Sequence, residues 1–489
     1  MEFIGGSGRD HHPVCSLCEP AGLGSSIFFK TRSPANKTQV SPLPAWASEG
    51  RVPSILMSSS TRLRTTTAAD WGVGMRKAIG VMAGVLTATA ALAGAPMSVG
   101  SAGAASAFTG APITIAFVSS TTGLAAPLFQ EAPQGFLARV ALQNAEGGVN
   151  GHKLVPLVIN DQTSPSLDAT GVQLAISRGA IGIVADSSLF YGGYKYAQQA
   201  GVPVTGSSLD GPEWGEQPNT NMFASDTGSV DPKYPANTAI GTFLKAHGGT
   251  IIGTYGISIS PSSISSAIAT GISFTHAGGK VGVLDTSVPY GSVDFTAAAL
   301  TARSKNVNAV FAGMGNNQNF ALATAFKQAG VKLKAVVFPT GYEADVIHTP
   351  AWQELQGMYF TAEFRPTVLP DAGTRQLVSA LQKYEHRSPT NFPTYVVDES
   401  WVGADLMIKG LQLAGRNPTR AAVIKAIRGI KSYNANGLLP ESINYSTIFG
   451  HNLPKQCAWY LQARKNGFVS LSTQPECGSY IAGTATAQS

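Results

Sequence analysis

The sequence predicts an α/β protein made of two doubly wound parallel-sheet lobes. Short apolar, β-branched runs alternate with helical stretches from residue 112 onward, and this alternation implies parallel strands with right-handed crossovers. The alternation occurs in two sets of similar size, separated by a segment rich in Pro and Gly over 211–235. The chain has 489 residues, 44% hydrophobic and only 13% charged, which is enough apolar material for two large cores.

The first 107 residues differ from the rest in composition. Residues 1–74 are rich in Ser, Thr, Pro and Gly without sustained periodicity, which predicts a non-native or disordered N-terminal extension. Cys15 and Cys18 form a C-x-x-C there, which could be a metal half-site or a redox pair. No second C-x-x-C and no βαβ pattern accompanies it, so a segment without such a role is favoured.

Residues 75–107 predict a secretory signal peptide. Met75-Arg76-Lys77 is a basic start, residues 78–93 form an apolar run, and Ala105-Ser106-Ala107 suits cleavage. Met75 is therefore favoured as the true start, with a mature chain beginning near Phe108. No cysteine follows the apolar run, so no lipobox is seen, and we expect a secreted, periplasmic or cell-envelope protein.

Charge argues against a nucleic-acid-binding protein. The chain has 34 basic and 28 acidic residues, and most of the excess lies in residues 1–107. The remainder is nearly balanced, so the basic total is not a footprint for phosphate backbones.

The region 112–163 shows the first unit most clearly. An apolar strand over 113–118 leads into the small hydroxyl-rich loop 119–123, then a helix with apolar residues at helical spacing. A glycine-rich turn over 146–151 ends that helix, and a second apolar strand follows over 154–159.

Later elements continue the same pattern. Further strands are predicted over 181–185, 202–204, 250–255, 281–284, 309–312, 334–338 and 355–360. Helices are predicted over 167–179, 191–200, 238–247, 262–277, 293–304, 318–329, 371–387, 394–414 and 418–430.

Three features of the first unit carry a family resemblance: the strand with its Ser/Thr-Gly loop, the turn GGVNGHKL, and the segment NDQTSPS. Together they resemble the start of leucine/isoleucine/valine-binding-type proteins, the type I periplasmic solute-binding proteins of ABC transporters. The resemblance implies the type I periplasmic binding protein fold, with its two lobes joined by a multi-strand hinge. It also implies that the late helices return to the first lobe. Lobe 1 is then 108–234 plus 362–432, and lobe 2 with the C-terminal crossing is 235–361 plus 433–489.

Ligands of open parallel sheets bind beyond the carboxyl ends of the strands. Hydroxyls and loop N–H groups there could hold a carboxylate, and an acidic group from the facing lobe could hold an ammonium. The candidate ligand-binding residues are Ser119, Thr121, Ser187, Ser188, Thr205, Ser207, Ser260, Asn316, Tyr342 and Glu343. Each hydroxyl could instead simply form a turn, Glu343 could be a solvated loop acid, and Tyr191 and Tyr342 could pack at the cleft rim. Trp214 and Trp401 are expected in the core.

The resemblance assigns roles to some of these residues. Similar proteins hold an amino acid with Ser and Thr from the loops after the third and fourth strands, which match Ser187 or Ser188 and Thr205. Glu343 matches their acidic residue after a late strand of the second lobe. The chain has Ser260-Pro261-Ser262 and Asn316-Asn317 where such proteins carry aromatic residues, so a ligand more polar than a branched-chain amino acid, or differently shaped, is expected.

The sequence carries none of three common signatures of catalysis or nucleotide binding. There is no nucleophile elbow, no P-loop and no dinucleotide fingerprint after the first strand, and the histidines lack metal-ligand spacing. We expect no enzyme activity, no cofactor and no metal site. Cys457 and Cys477, in an exported chain, are expected to form a disulfide, worth about 3 kcal/mol on the loop-entropy model.

The predicted function is the extracytoplasmic solute-binding component of an ABC importer. Its ligand would be a small amino-acid-like or amide solute, its partners the ABC permease membrane subunits, and a monomer is expected. The alternative is an extracellular ligand-sensing domain that signals to a partner, since the same fold serves both roles. A secreted hydrolase is disfavoured by the missing nucleophile motif.

Overall fold

The computed structural model describes residues 108–208, 212–214, 219–226, 235–388, 390–447 and 456–484. The predicted N-terminal extension, with Cys15 and Cys18, and the predicted signal peptide lie outside these residues. The described residues all belong to one compact unit, Met97–Ser489. In the described part of the chain, no helix combines the length and the apolar character that crossing a membrane requires.

The first sheet has five parallel strands in the order β2-β1-β3-β4-β5. They are β1 Ile113–Ser119, β2 Leu154–Asn160, β3 Gly182–Asp186, β4 Val204–Gly206 and β5 Met222–Ala224. The strand order reverses between β1 and β3, which opens a crevice at their carboxyl ends. Ser119, the last residue of β1, stands in register with Asn160 on one side and Asp186 on the other, so the polar loops meet there.

The helices between these strands are α1 Ala126–Phe129, α2 Ala132–Ala145, α3 Pro165–Ser177 and α4 Tyr194–Gln199. The β1 strand packs on α2 through Phe117, whose ring stacks on Phe136 with centroids 5.0 Å apart. Ser164 caps α3 by accepting a hydrogen bond from the Leu167 N–H, which explains why that helix starts at the predicted NDQTSPS segment.

The second sheet begins with five parallel strands in the order β7-β6-β8-β9-β10. They are β6 Ile251–Ile257, β7 Lys280–Val288, β8 Ala309–Gly313, β9 Ala335–Phe338 and β10 Tyr359–Ala362. Their helices are α5 Ala239–Ala246, α6 Pro261–His276, α7 Thr296–Ser304, α8 Asn316–Gln328 and α9 Ala351–Leu355. The predicted fold of two parallel-sheet lobes is confirmed. The strand predicted over 355–360 starts later, because α9 extends to Leu355.

An antiparallel extension completes the second sheet, and the sequence patterns did not predict it. It consists of β11 Cys457–Arg464, β12 Gly467–Ser470 and β13 Glu476–Cys477. Strand β11 pairs antiparallel with β10, with Ala362 opposite Trp459, and both β12 and β13 pair with β11. Cys457 stands opposite Cys477 in the β11–β13 pair, and the two form the disulfide that the sequence predicts.

Three late helices pack against the first lobe: α10 Ala372–Tyr384, α11 Tyr395–Ala414 and α12 Arg420–Arg428. Gly135 in α2 lets α11 approach closely, and the Ser400 hydroxyl of α11 donates to the Ala132 carbonyl at 2.5 Å. Trp401 is buried in the same core, which Tyr433 and Tyr445 also join. Short 3-10 turns lie at Phe190–Gly192, Pro212–Trp214, Asp345–His348 and Ala435–Gly437.

Candidate functional site

The first lobe presents a layer of hydroxyls and carboxylates where β1, β2 and β3 end. The Ser120 hydroxyl shares hydrogen bonds with those of Ser188, at 3.2 Å, and Ser187, at 3.4 Å. Ser187 also donates to Asp161, which follows β2. All four side chains are buried, so this layer is fixed before any ligand arrives.

The second lobe presents the start of α6. Ser260 caps this helix by accepting from the Ser263 N–H at 3.3 Å, and Ser263 in turn donates to the Gly313 carbonyl at the end of β8. A Cβ at Gly256 of β6 would lie only 2.7 Å from the Ser263 carbonyl oxygen, so glycine there lets α6 lie close to the sheet. The serines on the first turns of α6 are therefore held against the sheet edge that faces the first lobe.

A cavity of about 230 Å³ lies between the two lobes. Its first-lobe wall includes Leu128, Phe129 and Ser188. Hydroxyls of α6 line much of the second-lobe wall, together with apolar side chains; the main members are Ser260, Ser262, Ser266, Thr270, Ser273, Ile240, Ile257, Phe311 and Met314. The cavity is thus mostly apolar, with polar groups from both lobes, which is typical of a small-molecule site.

Of the ten predicted ligand-binding residues, the cavity brings together two, Ser188 from the first lobe and Ser260 from the second. Ser119 and Ser187 belong to the buried layer beneath Ser188, and Thr121 lies half-buried in the loop after β1.

Thr205 and Ser207 face the first lobe's own core instead of the cavity. The Thr205 hydroxyl is fully buried and donates to the Gly403 carbonyl of α11 at 2.7 Å. The Ser207 hydroxyl donates to Glu399 Oε1, also on α11, at 2.5 Å. Both hydroxyls hold α11 against the sheet.

Asn316, Tyr342 and Glu343 form a separate contact between the lobes. Tyr342 stacks on Phe392 with ring centroids 4.7 Å apart, and the Asn316 amide donates to Glu343 Oε1. Burial, reinforced by the nearby Glu131 carboxylate of the first lobe, raises the pKa of Glu343 to about 7.

The raised pKa of Glu343 makes unfolding free energy depend on pH. The folded-state pKa lies above the ordinary value, so the group's stabilising contribution is present below about pH 4.5 and is lost as pH rises through about 7. Glu343→Gln is expected to lie within about 1 kcal/mol of the parent at pH 5 and to exceed its stability at pH 8 by about 2 kcal/mol, after discounting for partial exposure. Urea denaturation at both pH values measures this; an equal difference at pH 5 and pH 8 contradicts it.

The predicted set did not include Tyr290, Glu363 or Tyr395, which also line the cavity. Tyr290 follows β7 and packs against the cores of both lobes, and it hydrogen-bonds Ser188. Burial raises its pKa to about 12, so it stays a neutral hydrogen-bonding group at any physiological pH. Tyr290 lies after the end of β7, a strand end that the predicted set did not include.

Among the described residues, one group of potential metal ligands stands together: Glu441, Cys457 and Cys477. The two cysteines are joined in the disulfide, so their sulfurs are not thiolate ligands in this state.

Comparison with known proteins identifies the family to which this architecture belongs. Residues 112–467 match the model of a family described as periplasmic binding protein. A fatty acid ABC transporter substrate-binding protein from Thermomonospora curvata superposes with TM-score 0.62 at 15% identity, over 76% of this chain and 93% of that chain. The branched-chain amino acid transporter substrate-binding protein LivJ from Streptococcus pneumoniae, in complex with isoleucine, gives a TM-score of 0.61 at 16% identity. The superposition covers 75% of this chain and 99% of that chain.

A solute-binding protein of an ABC transporter from R. palustris, in complex with benzoate, gives a TM-score of 0.62 at 16% identity, over 76% of this chain and 99% of that chain. The comparison with curated proteins found no significant match. At these identities the solved structures establish the fold, and the family match covers most of the chain. The two parallel-sheet lobes, the cavity between them and the match over 112–467 together show that this chain belongs to the periplasmic binding protein family.

Proposed function

We propose that this protein is the extracytoplasmic solute-binding component of an ABC importer and binds a small amino-acid-like or amide solute in the cavity between its lobes. Its membership of the periplasmic binding protein family supports this, as do structural neighbours that serve ABC transporters. The partners would be the membrane subunits of a permease, which recognise the ligand-closed form.

One observation carries the proposal: Ser188 of the first lobe and Ser260 of the second line a single cavity. A solute that accepts or donates hydrogen bonds at both hydroxyls contacts both lobes only when they are closed. Ligand binding therefore stabilises the closed arrangement by its differential contacts.

The test is calorimetric titration with a panel of amino acids, amides and urea. At least one solute of the panel should bind with one-to-one stoichiometry. Ser188→Ala and Ser260→Ala should each weaken that binding by about fivefold to tenfold, because each removes a net hydrogen bond worth about 1 kcal/mol.

Ser304→Ala is the matched control, because Ser304 is exposed on α7 and bonds only its own helix, to the Thr301 carbonyl. It should leave affinity unchanged. If no small solute binds to the folded protein, the importer proposal fails. If both cavity variants bind the solute as tightly as the parent does, Ser188 and Ser260 do not contact the ligand.

A further inference from the structure

The segment that crosses from the second lobe to the first carries a carboxylate into the cavity. Glu363 directly follows β10, lines the cavity, and its Oε2 accepts a hydrogen bond from the Tyr395 hydroxyl at 3.4 Å. Tyr395 is the first residue of α11 and lines the cavity too. Glu363 is half-buried although it lies deep in the protein, as expected for a side chain that opens onto an internal space.

The charge inside this cavity is one-sided. Glu363 is the single carboxylate among the described lining residues, and no lysine, arginine or histidine lines the cavity with it. None of the ion pairs within the described ranges involves Glu363 or Glu399. Among the residues that the structure describes, a ligand therefore meets an acid with no cationic side chain beside it.

Two further acids stand behind this one. Asp226 and Glu399 are buried and act electrostatically on Tyr395 together with Glu363. Hydroxyl and backbone groups donate to both acids: the Ser208 N–H and hydroxyl donate to Asp226 at 2.7 and 2.8 Å, and Ser207 donates to Glu399 at 2.5 Å. Burial, with a smaller contribution from Asp226, raises the pKa of Glu363 to about 7.

Burying a carboxylate away from water is unfavourable unless a cation or several donors compensate it. The Tyr395 hydroxyl supplies one donor to Glu363, and that hydrogen bond is long, at 3.4 Å. A protonated amine placed in the cavity would donate to Glu363 and to the Tyr395 oxygen and would relieve the repulsion from the acids behind. An anionic group in the same place would be repelled by all of them.

The rest of the cavity sets the shape of such a ligand. Lining residues occur on α6 from Ser262 to Ser273, a stretch of roughly 16 Å at the helical rise per residue. Apolar side chains such as Ile240, Ile257 and Phe311, from α5, β6 and β8, line the same cavity. This wall fits an extended body better than a compact one.

We propose that the cavity selects a solute with a protonated primary amine, bound at Glu363 and Tyr395, and an extended, largely apolar body lying along α6. This inference rests on the proposed function and narrows its ligand class. It assigns recognition of the amine to Glu363 in the crossing segment, whereas the sequence analysis assigned it to Glu343.

The probes are three compounds of equal chain length: hexylamine, hexanamide and hexanoate, titrated calorimetrically into the full chain. Hexylamine should bind tightest and hexanoate weakest. Glu363→Gln should weaken hexylamine binding at least about tenfold, because an amine then loses its charged partner, and should change hexanamide binding little.

Tyr395→Phe provides a second variant, which keeps the ring and the Glu363 carboxylate and should weaken hexylamine binding by a smaller factor. Circular dichroism confirms that each variant is folded. Hexanoate binding as tightly as hexylamine overturns the amine proposal, as does a folded Glu363→Gln that binds hexylamine like the parent. Neither outcome contradicts the importer proposal. That proposal fails only if none of these probes and no member of the amino acid and amide panel binds.

Discussion

Arg387→Met is expected to lower the free energy of unfolding by about 3–5 kcal/mol, since removing one partner of a buried charge pair leaves the other uncompensated. The guanidinium is nearly fully buried, with 5% of the side chain exposed. It donates to Glu131 Oε2 at 3.0 Å, to Gln134 Oε1 at 2.8 Å and to the Asn391 carbonyl at 3.0 Å. It also offsets part of the burial that raises the pKa values of Asp398 and Glu343.

Urea denaturation at pH 7 and pH 5 measures this loss. The loss should be smaller at pH 5, because Glu343, whose pKa is raised to about 7, then binds a proton and needs no cation. Lys327→Met is the control. Lys327 pairs with Glu354 at 3.3 Å, but 39% and 40% of the two side chains are exposed, so its loss should stay within about 1 kcal/mol. Equal losses in the two variants would show that Arg387 does not act through its buried partners.

Gly135→Ala is expected to destabilise the protein by about 2–3 kcal/mol. Gly135 lies in α2 where α11 crosses it, and a Cβ there would overlap the Val397 carbonyl oxygen and lie 2.9 Å from the Trp401 nitrogen. Both atoms belong to the backbone of α11, so the two helices must separate, at the upper end of the usual overpacking cost. The gain in helix propensity of up to about 1 kcal/mol offsets only part of this.

Gly271→Ala is the matched control, the same substitution inside α6. Its added Cβ would meet only a methyl carbon of Val281, at 3.4 Å, which is ordinary contact. Helix propensity should then dominate, and the variant should be more stable than the parent by up to about 1 kcal/mol. Thermal or urea denaturation of the two variants should give changes of opposite sign. A destabilised Gly271→Ala or a neutral Gly135→Ala would contradict this account of the helix contact.

The parallel part of the fold could be predicted from sequence because each strand is a short apolar run and each helix has its own period and its own stop signal. The pairing of β11 with β10 was not predicted because it is antiparallel and non-local, whereas β12 pairs with β11 in a local hairpin that the sequence analysis missed. Neighbouring β11 residues alternate less clearly, and the strand's partner β10 lies about a hundred residues earlier. The pairing of Cys457 with Cys477 could be predicted without the strands that position it.

The site shows the same division. Strand ends indicated Ser188 and Ser260, because the carboxyl ends of parallel strands meet at one edge. The same rule indicated Thr205 and Ser207, which α11 covers instead, through Gly403 and Glu399. Nothing near residue 205 encodes contact with a helix about two hundred residues later. Glu363 was missed since it lies in a crossing segment and not in a loop between a strand and its helix.

The pairing of β10 with β11 has a consequence for how the lobes move. Two of the chain segments at the hinge, the one that leaves β10 and the one that enters β11, are hydrogen-bonded side by side up to the pair Ala362 and Trp459. Because the two segments are hydrogen-bonded to each other, they must move together when the lobes rotate. We therefore expect opening to be a hinge rotation about this paired segment, in which Glu363, directly after β10, moves less than Ser188 and Tyr290, which separate with their lobes.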